Sequence, residues 1–160
     1  MASLEFVCFK GISIFSKLVK FFTRGEYSHV AVLLSKGDLI EVWKQRGGVY
    51  WDFSTLQSHT KGTPYEVYSL PVEDDVANNA LAFYRYLALR RVPYNYLGVI
   101  GFVIPVFTSN GGYFCSEGCW EGLAFASSNF RDIEGWRVSP TTFVQLIKLR
   151  GAELVYAGEV

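Results

Sequence analysis

The sequence predicts an α+β domain in which an antiparallel sheet packs against helices. Three observations carry this expectation. Ser28–Leu34 and Asp38–Lys44 are rich in branched residues and are separated only by Ser35-Lys36-Gly37, which is turn chemistry, so the two read as a hairpin. Helical periodicity is confined to the first 24 residues and to residue 73 onward, so most strands come in one run between them and do not alternate with helices. The chain has 160 residues, half of them hydrophobic, which suffices for one domain, residues 1–160, with a substantial core.

Taken in order, residues 12–24 read as an amphipathic helix. Ile12, Phe15, Leu18, Val19 and Phe22 share a face expected to pack on the core, Lys17, Lys20 and Arg24 lie off it, and Gly25 ends it. The hairpin strands follow, and residues 47–52 and 64–70 are two further strand candidates. Residues 73–91 form the strongest helix. Glu73, Asp74 and Asp75 fall in the first turn and Arg90 and Arg91 in the last, as the macrodipole favours, and Val76, Ala80, Phe83, Tyr84, Leu87 and Ala88 make a buried stripe. Pro93–Gly98 is a loop that leads into the apolar segment Leu97–Phe107. Gly111-Gly112 breaks the chain, and residues 113–126 read as a helix despite two glycines. Ser139-Pro-Thr-Thr142 starts a last helix through Leu149, and Glu153–Tyr156 can add a strand.

Composition excludes several functions. With 17% aromatic and 19% charged residues the chain is not expected to be disordered. Fifteen basic residues balance fifteen acidic ones, and no basic stripe extends beyond residues 10–24, so nucleic-acid binding has no support. The eleven residues of Leu97–Phe107 are too few to cross a hydrocarbon core of about 30 Å, and Pro105 interrupts them. Glu5, Lys10, Lys17 and Lys20 spoil any signal-peptide apolar region, so the default expectation is a cytoplasmic protein with no transmembrane segment. An odd count of three cysteines, Cys8, Cys115 and Cys119, points to reduced thiols and not to a disulfide framework.

Chemistry is expected to centre on Cys115. It follows Gly111-Gly112 and opens a helix, where unpaired N–H groups and the dipole favour a thiolate. Cys119 lies one turn further in, and it and Cys8 read as small buried hydrophobes. A cysteine nucleophile needs a base, and the base needs an orienting acceptor. There are two histidines. His29 begins a strand, whereas His59 lies in the polar stretch Gln57–Gly62 and reads as part of an exposed loop. Glu41 interrupts the apolar strand Leu39–Trp43. A hairpin centred on Ser35 sets residues 29 and 41 directly opposite, with Cβ atoms about 5 Å apart. A register slip by one residue would send Glu41 to the other face. No CxxC or HExxH spacing calls for zinc or another metal.

Tyr27-Ser-His-Val-Ala-Val32, Leu39-Ile-Glu-Val42 and Tyr113-Phe-Cys-Ser-Glu117 together resemble the circularly permuted papain-like cysteine hydrolases, the YiiX-like relatives of NlpC-type cell-wall peptidases. The histidine strand precedes the cysteine helix here, as in the permuted group, and the resemblance runs from about residue 10 to about residue 156. It implies a permuted papain-like fold, with Cys115 as nucleophile, His29 as general base and Glu41 as orienter. It further implies a substrate-binding role for Tyr94, in Val92-Pro-Tyr-Asn-Tyr96, and for Tyr156 on the last strand. Gly118-Cys-Trp-Glu-Gly122 departs from the apolar continuation usual after the cysteine. The implied activity is cleavage of an amide bond, by a peptidase or amidase acting on substrates such as cell-wall (peptidoglycan) peptide, with no cofactor. The alternatives are a lipid-directed thiol acyltransferase or hydrolase, and a non-catalytic binding or host-interaction protein on the same fold.

Overall fold

The computed structural model describes residues 1–35, 37–45, 48–95 and 112–160. Lys36, the start of the 47–52 strand candidate, the apolar stretch 97–107 and Gly111 therefore lie wholly or partly outside the described residues. The architecture is α+β. Six strands, β1 Ala2–Phe9, β2 His29–Ser35, β3 Asp38–Gln45, β4 Gly48–Thr55, β5 Pro64–Val72 and β6 Glu153–Glu159, form one sheet in the order β4-β3-β2-β1-β5-β6. Each neighbouring pair is antiparallel.

β1 is a central strand that the sequence reading did not anticipate. Phe6, Val7, Cys8 and Phe9 are all buried, because neighbouring strands flank β1 and both of its faces are covered. A strand enclosed on both faces reads as a continuous apolar run without alternation. Residues of opposite parity serve the two faces. Phe6, Val30, Val32, Ile40, Tyr68 and Leu70 join the larger core, and Val7, Phe9, Ala31, Leu39, Tyr65 and Val67 a smaller one.

The larger core is closed by helices. These are α2 (Asp74–Leu89), α3 (Cys115–Ala126) and α4 (Pro140–Leu149), while α1 (Ile14–Thr23) follows β1. α2 buries Ala77, Ala80, Tyr84, Leu87 and Ala88 and ends at Leu89, so Arg90 and Arg91 follow the helix and are not its last turn. Ser139 caps α4 by accepting the Thr142 N–H at 3.1 Å. Trp51, Trp120, Tyr84, Phe6 and Phe143 are fully buried, each stabilising the fold by roughly 2–3 kcal/mol through the area removed from water.

The glycines of α3 have a packing reason. A Cβ at Gly118 would stand 2.2 Å from the Trp51 ring, and one at Gly122 would stand 2.1 Å from the Tyr84 ring. One turn apart on the helix, they let strand β4 and helix α2 approach the α3 backbone, and the Tyr84 hydroxyl donates to the Cys119 carbonyl at 2.6 Å. The departure from an apolar helix therefore serves close packing behind Cys115.

The face of α1 is a correction. Of the residues expected to pack on the core, Val19 is buried, but Ile12, Leu18 and Phe22 are exposed. Helical periodicity shows that an apolar face exists, not which way it points. Among the described residues, no helix is long and apolar enough to cross a membrane.

Candidate active site

His29, Glu41 and Cys115 converge, each delivered by a different element. His29 is the first residue of β2, pairing with Phe9 at the end of β1. Ser28 beside it is fixed by accepting the Gly11 N–H at 3.0 Å. Glu41 lies in β3, fully buried. The β2–β3 ladder pairs Val32 with Ile40 and Leu33 with Leu39. That register is two residues away from direct opposition of 29 and 41, because the turn is tighter than one centred on Ser35 and Ser35 itself pairs with Asp38. A shift of two preserves the face. Diagonal neighbours are about 7–8 Å apart at their Cα atoms, within reach of two long side chains, and His29 Nε2 donates to Glu41 Oε2 at 2.6 Å.

Glu41 has two further partners. His59 Nε2 lies 3.0 and 3.1 Å from its two carboxylate oxygens, and the Ser54 hydroxyl donates to Oε1. His59 is thus not part of an exposed loop. The short 3-10 turn Leu56–Ser58 brings it back over the sheet, its backbone N–H donates to the Leu56 carbonyl, and its side chain is 12% exposed. Its ring stacks on Phe9 with centroids 3.9 Å apart, and Trp43 meets it edge-on at 5.1 Å. No local pattern in Gln57–Gly62 announces this. The available signal was chemical: a carboxylate buried in an apolar strand needs donors, and the chain has two histidines.

Cys115 is the first residue of α3 and is buried, at 5% exposure. Its thiol and the His29 ring face the same cleft and act on each other's ionisation. Since Nε2 faces Glu41, Nδ1 is the nitrogen left for sulfur. Burial alone would raise the thiol pKa. The His29 charge and hydrogen bond, with the Val30 and Ser116 backbone N–H groups, outweigh it and bring the thiol below its ordinary value. Burial would likewise lower the His29 pKa. The charge and hydrogen bond of Cys115, then those of Glu41, overcome it and push His29 to about 10. Burial would raise Glu41, but hydrogen bonds from His29 and His59 hold it at about 2. The three groups favour a thiolate, an imidazolium and a carboxylate in series.

The other thiols behave oppositely. Burial pushes Cys8 and Cys119 well above the ordinary thiol range. Within α3, Glu117 accepts the Phe114 N–H at 3.1 Å and so closes the helix start beside Cys115. Burial, only partly opposed by that hydrogen bond, pushes Glu117 up to about 7.

Cys115, His29 and His59 open on a cleft of about 270 Å³, which Trp43, Tyr94 and Ile12 also line. Tyr94 is placed by its N–H, which donates to the Val49 carbonyl of β4 at 3.0 Å. Tyr156 is not among the described residues lining this cleft. It sits exposed on β6, its ring 5.9 Å from that of Tyr65, so the structure does not bring it to the other candidates. Both oxygens of Glu41 are occupied by donors, and no group of side chains among the described residues is arranged to hold a metal ion. The chain matches no protein-family model, and no curated protein matches it.

Proposed function

We propose that the chain is a cysteine hydrolase of the permuted papain-like kind, cleaving an amide bond of a peptide or related substrate through Cys115, His29 and Glu41. The observation that carries this is a helix-start Cys115 sharing one cleft with His29, whose Nε2 is held at 2.6 Å by the fully buried Glu41 carboxylate. A purely structural cysteine has no need of that series, and Cys8 and Cys119, both buried and raised, lack it.

The mechanism follows from the proton inventory. The Cys115 thiolate attacks the substrate carbonyl carbon, forming the S–C bond and an oxyanion. As the first helical residue, Cys115 has a backbone N–H without an intrahelical acceptor, and this N–H is assigned to the oxyanion. Collapse breaks the C–N bond, and the proton on His29 Nδ1 passes to the departing amine. Water, giving its proton back to His29, then attacks the thioester, and the acid leaves with the thiolate and imidazolium restored. Glu41 stays ionised throughout and stabilises the charged ring. Tyr94, beside the cleft, is assigned to substrate contact.

The test is acylation. With p-nitrophenyl acetate, wild type is expected to release nitrophenol and to carry one acetyl group on Cys115 by mass spectrometry, while Cys115→Ala and His29→Ala do neither. Equal acylation of Cys115→Ala would overturn the reading.

A further inference from the structure

Helix α1 presents its apolar side outward. Ile14, Leu18, Phe21 and Phe22, at positions i, i+4, i+7 and i+8, form one stripe and are 80%, 48%, 74% and 46% exposed. Among the described side chains, which do not include that of Phe15, the inward side carries Val19, which is buried, with the polar Ser16 and Thr23 half-buried. A helix placed to build a core would show the reverse. Lys17 and Arg24 are exposed beside the stripe and Lys20 flanks it, and none of the three makes an ion pair with the described residues. Lys10 is different, being committed to Glu66 at 2.8 Å and to Glu26, the nearby acid, at 3.2 Å.

The helix is held rigidly at both ends. Ser13 caps its start, Arg24 adopts the left-handed turn that closes it, and the Tyr27 N–H is anchored to the Thr141 hydroxyl at 3.1 Å. One half of the helix is therefore available and the other is not. That geometry suits apposition to a broad flat surface and does not suit a groove that wraps a helix. Unpaired cations flanking an apolar stripe match a surface that is negative above and apolar below. Just before and within the helix, Ile12, Ser13 and Ser16 line the same cleft as His29 and Cys115.

We propose that α1 docks the protein on an anionic lipid bilayer. Ile14, Leu18, Phe21 and Phe22 enter the boundary between headgroups and acyl chains, Lys17, Lys20 and Arg24 meet the lipid phosphates, and the mouth of the cleft is held at the membrane surface. The docking does not depend on any reaction at Cys115, so it is read without turnover.

Co-sedimentation with vesicles of phosphatidylcholine, alone or with one third phosphatidylserine, tests the proposal at physiological and high salt. Wild type is expected to bind both vesicle types, the phosphatidylserine vesicles more tightly, and to lose that difference at high salt. The pair Leu18→Ser with Phe21→Ser should weaken partitioning by about tenfold or more on both vesicle types. The pair Lys17→Glu with Arg24→Glu should weaken it by about tenfold or more on the anionic vesicles alone, since each basic residue contributes roughly fivefold there. These side chains are exposed, so the variants are expected to remain folded, which circular dichroism checks. Failure of wild type to bind, or variants that bind as wild type does, overturns the proposal. So does a wild-type dimer that Phe21→Ser dissolves with no vesicle binding, which would make a second copy the occupant of this face.

Discussion

Replacing Glu41 by Gln removes one negative charge from a site with no solvent to replace it. Three donors, on His29, His59 and Ser54, converge on the two carboxylate oxygens. An amide offers one oxygen and turns its NH2 toward the remaining donors. The structure gives the size of the effect. The Glu41 pKa falls from 4.5 to about 2 on folding, and one pKa unit corresponds to 1.36 kcal/mol, so the ionised carboxylate stabilises the fold by about 3 kcal/mol at neutral pH. The sign follows from a depressed acid. The contribution is complete above pH 4.5 and is lost as pH falls towards 2. Glu41→Gln should therefore lose about 3 kcal/mol at pH 7, a drop in Tm of about 6–12 °C for a domain of this size. The gap between the two proteins should shrink by more than half at pH 3. Urea unfolding followed by tryptophan fluorescence suits the purpose, because Trp51 and Trp120 are fully buried. The same substitution should lower the His29 pKa from about 10, a shift that NMR of the imidazole reads directly. Equal stability at pH 7, or a gap independent of pH, would mean that the Glu41 charge does not stabilise the fold.

Three further outcomes follow from the same geometry. His59→Ala removes one donor from Glu41 and the ring stacked on Phe9, so the fold should lose about 1–3 kcal/mol, as measured by urea unfolding. Gly118→Ala gains about 1 kcal/mol of helix propensity but drives a methyl to 2.2 Å from the buried Trp51 ring; overpacking wins, and thermal melts should show a net loss of about 1–2 kcal/mol. Glu117 is a raised acid, so its penalty appears as pH rises from 4.5 through 7, and Glu117→Gln should stabilise the fold by up to about 3 kcal/mol at pH 8 and little at pH 4, read by melts at the two pH values.

The site was partly legible in the sequence because its chemistry is unusual where it stands. A carboxylate at 41 in an apolar strand, a histidine opening a strand and a cysteine after Gly111-Gly112 each break a local pattern, and the structure brings those three together. The register was placed two residues off because composition does not reveal that Ser35 already pairs with Asp38, yet parity kept Glu41 on the right face. His59 was missed because its position depends on a turn returning across the sheet, a tertiary fact that Gln57–Gly62 does not encode locally. β1 was missed because a strand covered on both faces shows no alternation. The direction of the α1 face was misjudged because periodicity carries no information on what a face meets. Tyr156 had only resemblance behind it, and β6 places it on the outer strand.

The proposed chemistry requires Cys115 to be a thiolate paired with His29. Iodoacetamide labelling at about pH 6, with the label mapped by peptide mass spectrometry, tests this most directly, since an ordinary thiol of pKa about 8.5 scarcely reacts there. Cys115 should be modified at pH 6 and lose that modification in His29→Ala, while the buried, raised Cys8 and Cys119 should remain unmodified. Labelling that appears only at alkaline pH, or that maps to Cys119, would contradict it.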